Sequence, residues 1–190
     1  MDIQDAQHEV RSVYMGGFGG QLVSSTIWLV SAGLGTWVTP KASVLAVVIG
    51  GFFIFPLTQM FLYLSGRRAS VSRQNSFNSL GMQVALVLPL SMLLLLPVGL
   101  YRANWFFPAL MVLLGAHYLP FATLYGMRMF LLLGGILISI GVVIALYFSG
   151  TFSLGAWVGG LILFVFAWIG RSIASKSGAG GSGTGAPPTK

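Results

Sequence analysis

Charged residues are scarce in this chain, and their scarcity decides its broad class. Ten Lys and Arg and three Asp and Glu make up 7% of the 190 residues, against about 25% in soluble proteins. A soluble domain of this size leaves roughly a third of its unfolded-chain surface in water, and so few charges do not supply that surface. Hydrophobic residues reach 56%, and the mean hydropathy is +0.88. The composition excludes an ordinary soluble protein and predicts an all-α integral membrane protein.

Cysteine is absent and carboxylates are almost absent, which excludes several kinds of chemistry. Without cysteine there is no disulfide, no thiolate nucleophile and no cysteine metal site. The only acids are Asp2, Asp5 and Glu9, all outside the apolar segments, so paired-carboxylate catalysis and carboxylate proton coupling within the membrane are excluded. His8 and His117 are the only histidines, too few for a usual metal site. We therefore expect no metal, no cofactor and no enzymatic activity.

Long charge-free stretches between the Lys and Arg residues mark the predicted transmembrane helices. One helix needs about 20 apolar residues to cross a hydrocarbon core of ~30 Å. The first four stretches each hold one helix, and the last, residues 129–170, holds two that are separated by the turn-favouring Ser149-Gly150-Thr151. The predicted six-helix bundle comprises residues 14–38, 42–65, 80–100, 105–126, 129–148 and 152–170.

The distribution of Lys and Arg around six spans gives an orientation. Basic residues accumulate on the cytoplasmic side of membrane helices. With six spans only Lys41 and Arg102 fall on the other side, whereas a single helix over residues 129–170 would divide the basic residues evenly. We therefore expect a multi-pass protein of the cell (inner) membrane with both termini in the cytoplasm. The cytoplasmic basic residues are then Arg11, Arg67, Arg68, Arg73, Arg128, Arg171, Lys176 and Lys190.

Outside the spans the chain has two terminal segments and one sizeable polar loop. Residues 1–13 are expected in the cytoplasm, either as a short interfacial helix or as a frayed terminus. In the loop, Arg67, Arg68 and Arg73 are expected to contact anionic lipid headgroups. The Gly/Ser/Pro-rich residues 171–190 are expected to form a disordered tail. The net charge of +7 is spread over loops without interleaved aromatic residues, so no nucleic-acid partner is expected.

A weak internal repeat links the second and fourth predicted spans. Gly51 and Pro56 in one, and Gly115 and Pro120 in the other, share the pattern of glycine, four residues and proline. Both spans are predicted to run in the same direction across the membrane. The pattern suggests a bundle built from repeated two-helix hairpins, although apolar sequences also resemble one another by composition alone.

Four polar residues in the first four spans form the best candidate site. Gln21, Gln59, Gln83 and His117 each lie about 12–16 Å from the nearest cytoplasmic arginine at ~1.5 Å per residue. Polar groups in hydrocarbon are costly when unpaired, so these side chains are expected to face the bundle interior. They would either line a pathway through the bundle or hold neighbouring helices together through interhelical hydrogen bonds. Neighbouring candidates are Thr58, Tyr118 and Thr123, with helix kinks at Pro56 and Pro120.

The first span also carries a stripe of small residues. Gly16, Gly20 and Ser24 recur every four residues, a spacing that lets two helices approach closely. The stripe is expected to pack within the bundle or to form the contact of a homo-oligomer.

Three classes of function are compatible with these features. The first is a small permease or channel-like protein, with the polar layer around His117 lining a pathway. The second is a membrane accessory or assembly protein, in which the polar layer serves only to hold the helices together through hydrogen bonds. The third is an intramembrane lipid-modifying enzyme, for which His117 is the only candidate acid or base and no nucleophile is evident. The four polar residues at one predicted depth favour the first class.

Overall fold

The computed structural model of the chain describes residues 2–66 and 70–179, and every regular element in those two ranges is helical. Five helical segments are long and apolar enough to cross a membrane: Pro40–Leu64, Ser76–Tyr101, Ala103–Tyr125, Met129–Tyr147 and Leu154–Lys176. The chain is therefore a multi-pass membrane protein. The helices are α1 (Ile3–Val13), α2 (Phe18–Trp37), α3 (Pro40–Leu64), α4 (Ser76–Met92), α5 (Leu95–Tyr101), α6 (Phe106–Tyr125), α7 (Met129–Tyr147) and α8 (Leu154–Ala179), with 3-10 turns at Met15–Gly17 and Ala103–Trp105.

Local sequence signals explain where several helices begin and end. Thr39 caps α3 with its side-chain oxygen, and Pro40 occupies the first turn, where its missing N–H has no intrahelical partner to lose. Asn75 caps α4 in the same way. Gly126 follows α6 with a φ of 62°, a left-handed conformation that glycine adopts without strain. These residues mark the starts of α3 and α4 and the end of α6.

Two tightly packed groups of helices form the bundle. Helix α2 packs along both α3 and α8, and α6 packs along α7. Glycines allow the close approaches: a Cβ added at Gly16, just before α2, would lie 2.6 Å from the Gly170 carbonyl oxygen of α8, and one added at Gly115 of α6 would lie 2.6 Å from that of Gly134 in α7. Helices α3 and α4, in contrast, touch each other only sparsely.

The first predicted span, residues 14–38, begins later than expected. Met15, Gly16 and Gly17 all have positive φ, so the chain bends after α1 and restarts as α2. Gly, Ser and Thr residues lower the apolar content of α2, and it is not among the five apolar segments of spanning length. The described residues thus show five such segments where the sequence predicted six.

The third predicted span, residues 80–100, is interrupted between α4 and α5. Pro89 in α4 and Pro97 in α5 flank the interruption, and each proline removes one backbone hydrogen bond and crowds the preceding turn. Pro56 and Pro120, where kinks were predicted, lie within α3 and α6, each of which remains a single helix.

The two glycines of the predicted repeat have different surroundings. A Cβ added at Gly51 would meet the Met92 sulfur at 3.1 Å, whereas one at Gly115 would meet backbone atoms of α7. The two positions are therefore not equivalent in packing.

The C-terminal helix is longer than predicted. Helix α8 continues to Ala179, so residues 171–179, which were expected in a disordered tail, are helical. Residues 180–190 lie outside the described ranges, as do Arg67 and Arg68, whereas Arg73 is described and exposed.

Candidate functional site

A cavity of about 420 Å³ lies among α2, α3, α4 and α6. Its volume is within the range of roughly 300–1,000 Å³ that small-molecule sites occupy. Four of the residues predicted from the sequence meet in its wall, namely Gln21, Thr58, His117 and Tyr118, together with the predicted kink residue Pro56. Other wall residues are Gly20 and Ser24 of α2, Phe52 and Phe55 of α3, Gly81, Met82, Ala85 and Leu86 of α4, and Leu114 of α6.

Gln21 is an unpaired polar residue in the cavity wall. It is 2% exposed, and neither its Nε2 nor its Oε1 has a hydrogen-bond partner among the described residues. Leaving a buried polar group unpaired costs roughly 1–3 kcal/mol. The amide therefore has both a donor and an acceptor left unpaired beside the cavity.

His117 adds a second unpaired group deeper in the bundle. The side chain is half-buried, and its Nδ1 is buried without a partner in the described part of the chain. The ring lies 5.1 Å from that of Phe121 and 5.9 Å from that of Tyr118, centroid to centroid. No group of three or more His, Asp or Glu residues in the described ranges could hold a metal ion. The cavity is therefore a site of hydrogen-bonding groups set among aromatic rings.

Gln21 and Thr58 lie toward one end of the cavity, and Phe52 lies toward the other. The start of α2 lies beside the end of α3, where the rings of Phe18 and Phe61 are 5.9 Å apart. Gln21 and Thr58 are both within about 10 Å of these helix ends. Phe52, by contrast, lies about 18 Å from the end of α3. The cavity thus runs from an end near α1, called the polar end because Gln21 and Thr58 lie there, to the middle of the bundle.

The cavity is open on one side, between α3 and α4. Leu114 in the opposite wall is 2% exposed, whereas Phe52 of α3 and Leu86 of α4 are 51% and 54% exposed. The two bordering helices make few contacts with each other. This lateral opening, bordered by Phe52, Phe55, Met82 and Leu86, lies along the central part of two apolar helices.

Helix α1 borders the polar end of the cavity. Its buried face packs on α4 and α6, and Val10 and the following Tyr14 form part of the cavity wall. Gln7 Nε2 also donates to the carbonyl oxygen of Thr123, near the end of α6, at 2.7 Å. The segment predicted as either an interfacial helix or a frayed terminus is therefore a helix that contributes to the cavity wall.

A hydrogen-bond network holds α1 to the start of α4. Asn75 Nδ2 donates to Glu9 Oε2 at 2.7 Å and to the Ala6 carbonyl at 3.1 Å. Asn75 Oδ1 accepts from the Phe77 amide at 2.9 Å, and the Ser72 amide donates to Glu9 Oε1 at 2.8 Å. Sequence reasoning missed this network. The helix-capping preference of asparagine could have indicated Asn75, but no local signal pairs it with Glu9.

The Glu9 contacts predict a specific loss of stability in acid. Hydrogen bonds from the Asn75 side chain and the Ser72 amide hold the pKa of Glu9 below its usual value of 4.5. Because the folded-state pKa is the lower one, the contribution to stability is complete above about pH 4.5 and is lost as the pH falls through the folded-state pKa. Between about pH 6 and about pH 3.5, the apparent Tm of wild-type protein in detergent should fall further than that of a Glu9→Gln variant. Equal falls would contradict a role for the Glu9 carboxylate.

Several predicted site residues lie outside the cavity wall. Gln59 and Gln83, expected to face the bundle interior, are exposed, as are Thr123 and Pro120. Gln59 directly follows the inward-facing Thr58, and one residue turns a helix by about 100°. The structure therefore brings two of the four predicted layer residues, Gln21 and His117, into one cavity.

Gln21 also lies at a different depth from the one predicted. The prediction counted along a continuous helix from Arg11, but the bend at Met15–Gly17 interrupts that helix. Gln21 is consequently only about one turn, ~5 Å, into α2. His117 lies about 12 Å from the end of α6, so the polar groups are spread along the cavity rather than gathered in one layer.

The small-residue stripe at the start of α2 packs against other helices of the same chain. Gly16 packs against Gly170 of α8, Ser24 is buried, and Gly20 lies beside Thr58 in the cavity wall. Close helix approach is thus used inside one subunit, and the stripe gives no separate support for a homo-oligomer.

Comparison with known proteins identifies a family without identifying an activity. No curated protein and no solved structure matches the chain significantly. The model of a family of unknown function, DUF7010, matches residues 3–171, a range that contains α1, the Glu9 network and all the residues that line the cavity. The chain therefore belongs to the DUF7010 family, a family of unknown function.

Proposed function

We propose that this protein is a small permease-like protein of the cell membrane that binds its solute in the cavity among α2, α3, α4 and α6. Gln21 carries the proposal, because its buried amide is unpaired in the wall of a cavity large enough for a small molecule. A ligand that bonds to this amide would offset the cost of leaving it unpaired. The unpaired Nδ1 of His117 provides a second contact along the same cavity.

We further propose that α2 is a sixth transmembrane helix. Its 20 residues are about 30 Å long, enough to cross the hydrocarbon core. It runs beside α8, which is itself of spanning length: the rings of Phe18 and Trp168 are 5.1 Å apart near one end, and those of Trp37 and Trp157 are 5.8 Å apart near the other. Because α3 and α8 flank α2, its polar residues need not face lipid.

Six spans support an inner-membrane topology with both termini in the cytoplasm. All but two of the ten Lys and Arg residues then lie on the side of α1, as the positive-inside rule favours. The exposed Arg73, near the start of α4, would contact anionic lipid headgroups on that side. The role is binding and translocation rather than catalysis, since every acid of the chain precedes α2.

The geometry of the cavity favours a ligand site over the two other classes of function. In an accessory protein the polar side chains would hold the helices together through interhelical hydrogen bonds. The Gln21 amide, however, bonds to no described residue. A lipid-modifying enzyme requires an activated nucleophile beside His117. The Thr58 hydroxyl instead donates to the Ile54 carbonyl at 2.7 Å.

Filling the cavity from Gly81 tests the proposal. A Cβ added at Gly81 would meet nothing within 4 Å, so Gly81→Phe should occupy the cavity without displacing the backbone. The molecule that co-purifies with wild-type protein, identified by native mass spectrometry, should be retained about tenfold less by this variant, equivalent to ~1.4 kcal/mol of binding.

Gly135 of α7 provides a matched control. A Cβ there also meets nothing within 4 Å, and the residue lies outside the cavity wall. Gly135→Phe should therefore retain the molecule as wild type does. A wild-type protein that carries no bound molecule, or equal retention by the two variants, would contradict the proposal.

A further inference from the structure

We infer that the ligand of this cavity is a neutral amphiphile that enters from the lipid bilayer through the lateral opening between α3 and α4, with its polar group at Gln21. The inference rests on the proposed function and specifies the class of solute. That class has a hydrocarbon portion and one uncharged group that both donates and accepts hydrogen bonds, as the hydroxyl of a diacylglycerol does.

The lateral opening faces hydrocarbon rather than water. Phe52 and Leu86, which border it, are each about half exposed, and both lie well inside helices of spanning length. Pro56 and Pro89 also line the cavity, one in each bordering helix. Because each proline removes a backbone hydrogen bond, α3 and α4 can bend more readily at these two points.

The cavity wall disfavours a charged ligand. None of the wall residues in the described part of the chain is Asp, Glu, Lys or Arg. A charged group buried without a counter-charge is strongly unfavourable. The Gln21 amide presents an NH₂ donor and a carbonyl acceptor, and both are unpaired. A hydroxyl satisfies both groups, whereas a ligand that only accepts would leave Oε1 unmatched.

The order of polar and apolar residues matches the orientation of a lipid in one leaflet. Gln21 and Thr58 lie near the helix ends beside α1, and Phe52 lies toward the middle of the bundle. An amphiphile would therefore keep its headgroup near the interface and its chain at hydrocarbon depth, as it does in the bilayer.

Helix α1 borders the polar end of the cavity. Val10 and Tyr14 form part of the cavity wall there, and the contacts of Glu9 with Asn75 and Ser72 hold α1 in place. A molecule dissolved in lipid reaches the lateral opening without displacing α1.

Photolabelling in vesicles tests the class of ligand. Full-length protein in phosphatidylcholine vesicles is exposed to a diacylglycerol with a diazirine in its acyl chain, and in parallel to a phosphatidylglycerol with the same chain. The diacylglycerol should label peptides of α3 and α4 saturably and about tenfold more than the charged lipid, equivalent to ~1.4 kcal/mol. Unlabelled diacylglycerol should compete, and phosphatidylglycerol should not.

Two variants separate specific binding from general contact with lipid. Gly81→Phe should abolish saturable labelling, and the Gly135→Phe control should keep it. Gln21→Met keeps similar volume but removes the amide, so it should lose the preference for diacylglycerol while remaining folded. The inference would be overturned if both lipids labelled the protein equally and if Gly81→Phe left that labelling unchanged. If the molecule that co-purifies with wild type proves to be water-soluble, the inference fails while the cavity remains the proposed binding site.

Discussion

A Gly134→Ala variant should lose its fold at a clearly lower temperature than wild type, although alanine is the better helix former. A Cβ at Gly134 would lie 2.7 Å from the Gly115 carbonyl oxygen and 3.0 Å from Leu119 Cδ2. The carbonyl belongs to the backbone of α6 and has no rotamer by which to move away. Overpacking of this kind costs about 1–3 kcal/mol, more than the ~1 kcal/mol that alanine gains over glycine in a helix interior.

The neighbouring residue supplies the control for this prediction. A Cβ at Gly135 meets nothing within 4 Å, so Gly135→Ala keeps the gain in helix propensity without the clash and should match or exceed wild type. The monodisperse fraction that remains after heating in detergent measures both variants. Gly115→Ala should behave like Gly134→Ala, and the double variant should lose less than the sum because both act on one contact. Equal losses from Gly134→Ala and Gly135→Ala would contradict the close approach of α6 and α7.

An Asn75→Asp variant should release α1 from the bundle, with almost no change in side-chain shape. At present Asn75 Nδ2 donates to Glu9 Oε2 at 2.7 Å, and Asn75 is buried. The substitution places two carboxylate oxygens at that distance, which is repulsive when both are ionised. Trypsin should then cleave after Arg11 roughly tenfold faster than in wild type, because local opening of α1 exposes the bond.

A second substitution should reverse part of this effect. In the Asn75→Asp, Glu9→Gln double variant the amide and the carboxylate exchange sides, so a donor again faces an acceptor. Recovery should be incomplete, because the donor to the Ala6 carbonyl is still lost. The rate of trypsin cleavage should therefore lie between those of wild type and Asn75→Asp. A double variant as labile as the single one would show that the pairing of Glu9 with Asn75 does not hold α1.

The apolar segments were the most predictable part of the fold. Residues 42–65 and 129–148 were predicted as spans, and the structure has Pro40–Leu64 and Met129–Tyr147, because long charge-free runs and flanking basic residues are local signals. The bend at Met15–Gly17 was missed, since hydropathy carries no information about positive φ. The interruption between α4 and α5 was also missed, although prolines flank it.

The candidate site could be predicted only in part. Gln21 and His117 were predicted to face inward because polar groups avoid lipid, and both line the cavity. Gln59 and Gln83 were subject to the same argument, but the rotation of α3 and α4 about their axes depends on packing with neighbouring helices, and it leaves both exposed. The Glu9 network joins residues 66 positions apart, which no local pattern indicates.

The docking of α1 has a consequence for the order in which the protein matures. Its partners Asn75 and Thr123 follow it by 69 and 116 residues, so α1 waits at the membrane surface while the helices that receive it are still being synthesised. The lateral opening lies between α3 and α4, which are synthesised before α6 completes the cavity. A nascent chain halted before α6 is complete would therefore lack one wall of the cavity and one partner of α1, and α1 would dock only after the helices that follow it have been made.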